Sequence, residues 1–106
     1  MDKDAVIEII KRYKKALEAR GVHDPQMVLF GSYSRGDYHE YSDIDLMVIS
    51  RSFEGMDRWS RIELLADAIC EVWEPIEAVA MTPEEWERGD SLIALFAQEG
   101  EVVAGT

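Results

Sequence analysis

Two short apolar runs, residues 27–30 and 44–49, bracket a polar stretch that opens with Gly31-Ser32 and closes with Ser42-Asp43. Met-Val-Leu-Phe shows no alternation, and it lies between Pro25 and Gly31. A run that short, bounded by breakers, reads as a strand buried on both faces. Residues 44–49 read as a second buried strand. Alternation puts Ile44, Leu46 and Val48 on one face and Asp43, Asp45, Met47 and Ile49 on the other. That second face changes from two carboxylates at its rim to apolar side chains deeper in. Between the strands, Tyr33 to Asp37 suits one helical turn ended by Gly36, and residues 38–42 form a polar loop.

Two buried strands need cover, and the flanking sequence supplies it. Residues 3–20 carry Val6, Ile9, Ile10, Tyr13 and Leu17 at helical spacing, with Gly21 as a stop. Asp57 caps a helix running to about residue 71. Its apolar stripe is expected to be Ile62, Leu65, Ala66, Ile69 and Trp73, with Trp59 one turn earlier. Trp59 and Trp73 therefore read as core, and Cys70 as a small buried hydrophobe. Residues 76–81 make a third strand with Glu77, Val79 and Met81 on one face. Thr82-Pro83-Glu84-Glu85 is a capping box with proline at the first helical position, opening a helix to about residue 88. Asp90 or Ser91 caps a last helix through Gln98, with Leu92, Leu95 and Phe96 inward. Residues 101–104 add an edge strand. The expected architecture is α/β (α+β): one domain over residues 1–106, with a single mixed sheet of three to four strands. Helices pack on one face and the carboxylates lie on the other.

Charge narrows the ligand class. With 22 acidic against 11 basic residues the net charge is −11. So acidic a chain, without a basic stripe, excludes long RNA or duplex DNA as a direct ligand. A basic partner protein, or an anionic small molecule neutralised by metal ions, fits better. A single cysteine allows no internal disulfide and suits a reducing compartment. The start of the chain lacks the order of a signal peptide, and no apolar run reaches membrane-spanning length. A cytoplasmic location and no membrane partner are the expectations, and homo-oligomerisation is left open.

Asp43 and Asp45 project the same way from one strand, with backbones roughly 6.6 Å apart. Like charges held that close repel unless protonated or bridged by a cation. Mg²⁺ prefers oxygen ligands, commonly one or two carboxylates plus substrate phosphates. Two such ions about 3.5–4 Å apart clamp the attacking and leaving oxygens of a phosphoryl or nucleotidyl transfer. Glu77, a carboxylate at the start of an otherwise apolar strand, is the candidate third ligand. Gly31 lets a phosphate approach the backbone. Ser32 and the amides at the following turn would bind phosphate oxygens, and Arg35 adds a positive charge. Each part alone is weak, because Asp-x-Asp is common in loops and Gly-Ser after a strand is usually only a turn. The ordered combination is far more specific.

GSYSRG followed by SDIDLMVIS resembles the signature of the minimal nucleotidyltransferases, a branch of the DNA polymerase β-like superfamily. Gly31, Ser32, Arg35, Gly36, Ser42, Asp43, Asp45 and Leu46 carry the match, and the expected element order agrees over nearly the whole chain. The resemblance implies a nucleotidyltransferase fold and transfer of a nucleoside monophosphate, AMP foremost, from ATP or another NTP to a hydroxyl. It implies Mg²⁺, two ions, held by Asp43, Asp45 and the third carboxylate, with Gly31, Ser32 and Arg35 on the nucleotide. The family usually has aspartate in the third position. Glu77 is one methylene longer, which shifts its oxygens by about an ångström. The resemblance also implies a partner, a small helical HEPN-type toxin that the chain counters as antitoxin. A non-catalytic antitoxin and a small-molecule nucleotidyltransferase are the alternatives. The remaining polar and aromatic residues read more plainly. His23 and His39 are expected at the surface. Tyr33, Tyr38 and Tyr41 are expected in ordinary packing, Trp86 half-exposed at an interface, and Glu84, Glu85 and Glu87 at a solvated helix start.

Overall fold

The computed structural model describes residues 2–38, 42–89 and 91–104, without the side chains of Phe96 and Ala104. The expectations for His39, Tyr41, Asp90 and the Phe96 side chain fall outside the described residues. In chain order the elements are α1 (Lys3–Ala19), β1 (Gln26–Phe30), α2 (Ser32–Arg35) and β2 (Ile44–Ile49). A 3₁₀ turn (Arg51–Phe53), α3 (Arg58–Val72), β3 (Ile76–Met81), α4 (Pro83–Arg88), α5 (Leu92–Gln98) and β4 (Glu101–Ala104) follow. The order of helices and strands is the one expected.

The strands form one mixed sheet in the order β3-β2-β1-β4. β1 runs antiparallel to β2 and to β4, whereas β2 and β3 are parallel. The parallel pair needs a crossover, and α3 provides it. α1 and α3 pack on one face through Val6, Ile10, Tyr13, Leu17, Leu65 and Ala68, around Leu29, Leu46 and Val48. The buried Tyr13 hydroxyl ties the two helices together by donating to the Leu65 carbonyl at 3.2 Å. Burial pushes that hydroxyl well above the ordinary tyrosine range.

Three expectations about burial are corrected. Trp59 and Trp73 are 76% and 83% exposed, Ile62 is exposed, and so is Cys70. Ala66 is exposed too, and the buried face of α3 is Leu65, as expected, with Ala68 and Val72. The helix carries two apolar stripes, and the one of smaller side chains faces the sheet because it allows close approach to α1 and the strands. Leu92 and Leu95 also point outward, and Ala94 and Ala97 are buried in their place. Helices are not confined to one face. Ala94 and Ala97 of α5, with Trp86 of α4, cover Val28, Phe30, Met47, Ile49 and Met81 on the second face. Apolar residues on both sides of β1 and β2 require this cover.

The local signals are otherwise met. Asp2 and Asp57 cap α1 and α3 by accepting from Ala5 and Ser60 backbone N–H groups. Thr82 and Glu85 form the reciprocal capping box on α4. Ser91 Oγ accepts from the Ala94 N–H at 3.2 Å. His23 is exposed and Trp86 half-buried. No helix among the described residues is long and apolar enough to cross a membrane.

Candidate active site

β1 ends at Phe30, and the chain must turn sharply to start α2. Gly31 makes this turn with φ 74° and ψ −153°, a conformation open essentially to glycine alone. A methyl carbon at Gly31 would sit 2.1 Å from Asp45 Oδ2. The absent side chain is therefore what lets the Asp45 carboxylate lie against the β1–α2 turn. Gly36 closes α2 in the left-handed conformation.

The sheet brings the second half of the site to the first. Asp45 pairs with Phe30 across β1 and with Glu77 across β3. Side chains paired across neighbouring strands share a face, so Asp45 and Glu77 project together. Asp43 stands just before β2 and is exposed, Asp45 is half-buried, and Glu77 is exposed. Burial raises the Asp45 pKa first, and the Glu77 side chain within hydrogen-bonding reach raises it further. The charges of Glu77 and Asp43 add to the rise, the Arg35 charge opposes it, and the result is about 6. The three carboxylates foreseen from the sequence thus act on one another electrostatically. Among the described residues, however, no three His, Cys, Asp or Glu side chains converge as a ready metal cage.

The donor chemistry nevertheless fits Mg²⁺. Every candidate ligand is a carboxylate oxygen, and crowding of like charge around Asp45 is what a divalent cation relieves. Mg²⁺ commonly takes only one or two protein carboxylates and completes its shell with phosphates and water. A three-carboxylate cage is not needed before nucleotide arrives.

On the other side of Gly31 an open pocket of about 270 Å³ is lined by Phe30, Gly31, Ser34, Arg35, Glu99 and Gly100. Arg35 is exposed there and pairs with Asp37 at 3.2 Å. Ser34, Glu99 and Gly100 were not foreseen as site residues. Ser34 lies within the Gly-Ser turn motif and could have been included. Glu99 and Gly100 come from the far end of the chain, brought in by β4 pairing with β1, and no local pattern marks them. Gly100 needs its missing side chain, since a methyl there would lie 2.3 Å from the Leu29 carbonyl oxygen.

Tyr33 is fully buried and stacks on Tyr38 with centroids 4.6 Å apart. The pair props α2 against the sheet, as ordinary packing predicts. Burial raises the Tyr33 hydroxyl pKa, with smaller contributions from Tyr38 and the Asp43 charge.

Comparison with known proteins agrees with this geometry. A family model for the nucleotidyltransferase domain matches residues 10–94. A candidate protein adenylyltransferase of Methanocaldococcus jannaschii is 36% identical over 63 residues, 58% of this chain. The chain spans 63% and 41% of the lengths of two such curated relatives. A candidate nucleotidyltransferase from Sulfolobus solfataricus superposes with a TM-score of 0.59 at 21% identity, over 96% of this chain and 87% of that one. A toxin–antitoxin structure holding AMP-PNP superposes with a TM-score of 0.59 at 25% identity, over 89% of this chain and 72% of that one. With the family match running from α1 into α5, and the Gly-Ser turn set against the second aspartate of Asp-x-Asp, this chain belongs to the nucleotidyltransferase domain family.

Proposed function

We propose that the chain is a Mg²⁺-dependent nucleotidyltransferase that moves AMP from ATP to a hydroxyl on a partner protein of the HEPN type, and so acts as an antitoxin. The observation that carries this reading is the seating of Asp45 against Gly31 and opposite Glu77. It sets a carboxylate pair beside a backbone turn stripped of side chain, where a triphosphate can approach. Asp43, Asp45 and Glu77 would hold the metal. Bound Mg²⁺ supplies charge neutralisation on the phosphates and at the leaving oxygen. Gly31, Ser32 and Arg35 would orient the β and γ phosphates. The acceptor oxygen forms a bond to the α phosphorus as the bond to pyrophosphate breaks. Its proton would pass to a carboxylate of the site, with Glu77, opposite Asp45 on β3, as the candidate. AMP as the transferred group and a toxin as acceptor draw on the motif resemblance, on the adenylyltransferase relative and on the toxin–antitoxin neighbour.

The test is transfer of label from α-³²P-ATP and Mg²⁺ to a HEPN-type protein encoded beside this chain. Label is expected on the partner with the wild-type chain, and at least about a hundredfold less with Asp45→Asn. Equal labelling by both chains, or none by either, overturns the catalytic reading. A masking antitoxin without catalysis is the second reading. It is favoured by Glu77, one methylene longer than the aspartate usual in the third position. Toxin neutralisation that survives Asp43→Asn with Asp45→Asn would select it.

A further inference from the structure

The outer stripe of α3 is unexplained by the site. Trp59, Ile62, Ala66, Cys70 and Trp73 follow one another at helical spacing and are all exposed. Trp73 is also held in the left-handed conformation, φ 60° and ψ 49°, as the C-cap of α3. That conformation is unfavourable for a bulky residue and suits glycine. A tryptophan that strains the backbone and gains no burial leaves its apolar surface open to contacts outside the folded chain. Beside it, β3 is an edge strand that pairs only with β2 among the described residues. Its sequence, Ile-Glu-Ala-Val-Ala-Met, carries one charge, no lysine and no proline, and its pairing with β2 is unbroken. Glu77 apart, it lacks the devices that keep an open edge from pairing with another strand.

We infer that α3 and the β3 edge together form a self-complementary face on which a second copy of this chain docks, giving a two-fold dimer with a continuous eight-stranded sheet. The stripe is symmetric about Ala66. In an antiparallel pairing centred there, Trp59 meets Trp73 of the copy, Ile62 meets Cys70, and the two alanines meet on the axis. The same axis serves the strand. From Ala66 to Trp73 the helix advances about 10 Å, and from Ile76 to the middle of β3 the strand returns about 8 Å. Ala66 therefore lies over the centre of β3.

Spacing agrees as well. α1 and α3 pack together over a sheet of four strands. Helices about 10 Å apart over strands about 4.8 Å apart leave α3 roughly half a strand spacing inside β3. Pairing two β3 edges then sets α3 and its copy about 9–10 Å apart, an ordinary helix-packing distance. Area is sufficient. Two tryptophans at roughly 150–250 Å² each supply about half of the roughly 800 Å² per partner that a stable interface needs, and the remaining stripe and strand edge supply the rest. Charge on two copies of −11 opposes the contact, so the dimer is strengthened by salt.

Sedimentation of the whole chain across about 1–200 µM in about 150 mM NaCl tests this. The expected mass rises to twice the 12.1 kDa of one chain. Ala66→Arg abolishes the rise while far-ultraviolet circular dichroism stays native. Trp73→Gly also abolishes it, yet raises the melting temperature of dilute monomer by about 4 °C through relief of the left-handed strain. A merely structural tryptophan would lower it. Cys70 supplies a register test. Oxidised Ile62→Cys forms a covalent dimer, whereas wild type, whose two Cys70 residues lie about 12 Å apart along the axis, does not. A wild-type chain that stays monomeric over this range, including one whose stripe is covered only by a different protein, overturns the proposal. So does a dimer indifferent to Ala66→Arg, or one that fails to cross-link through Ile62→Cys.

Discussion

Gly31 joins the two halves of the candidate site, and it does so by lacking a side chain. Alanine there would meet Asp45 Oδ2 at 2.1 Å and be held at φ 74°. Gly31→Ala is therefore expected to displace the carboxylate and lower the proposed AMP transfer about a hundredfold, the usual effect of misplacing a reacting group by about an ångström. Transfer kinetics beside a melting curve measure this, and the backbone strain accounts for about 1–3 kcal/mol of stability. At Tyr13 the expectation concerns stability alone. Tyr13→Phe leaves the Leu65 carbonyl without its side-chain donor and is expected to destabilise the chain by about 1 kcal/mol in urea unfolding. The aspartates and Gly31 were legible in the sequence because their chemistry is local: a breaker after a strand, and two carboxylates at strand spacing. Glu77 was legible as an odd residue in an apolar strand, but its position opposite Asp45 is a matter of register. Glu99 and Gly100 could not be read, since only the pairing of β4 with β1 brings them to the pocket.

Among the elements, α4 carries the clearest written instruction. Thr82 accepts from Glu85 N–H at 3.1 Å, and Glu85 accepts from Thr82 N–H at 2.8 Å and from Arg61 at 2.7 Å. Thr82→Ala is expected to cost about 1 kcal/mol, a drop of roughly 4–8 °C in melting temperature. Glu85 also makes the element sensitive to acid. Burial pushes its pKa up, but the Thr82 N–H and then Arg61 outweigh that and hold it below the ordinary 4.5. A depressed carboxylate contributes its full stability above the ordinary value and loses it as pH falls through the lower folded value. Wild type should exceed Glu85→Gln at pH 7 by up to about 1 kcal/mol, an allowance reduced for solvent exposure, and the two should converge in acid. Denaturant titrations of both chains over the acid range check it. α3 shows where reading by pattern fails. Periodicity marks apolar stripes but not which one meets the sheet, and the larger, more hydrophobic side chains of Trp59 and Trp73 pointed to the wrong one. Small residues at α3 and α5 contacts, Ala68, Ala94 and Ala97, are buried because backbones must come close.

For the whole molecule, charge is the global variable. A chain at −11 repels itself when compact, and salt relieves this as the screening length falls from about 30 Å at 0.01 M to about 8 Å at 0.15 M. Melting temperature should rise with NaCl over that range, measured below 1 µM where association is negligible. A flat or falling curve would show that the acidic groups are already neutralised by local pairing. What the sequence determined by itself is everything that depends on near neighbours. Helix caps, breakers, the order of elements, the Gly-Ser turn and the Asp-x-Asp spacing all follow from contacts within a few residues along the chain. What only the tertiary structure decided is everything that depends on register and facing. That includes Glu77 opposite Asp45, the second helical layer of α4 and α5, and the outward stripe of α3. Those choices are made by competition among distant surfaces for the same burial, and no local stretch of chain contains its own competitor.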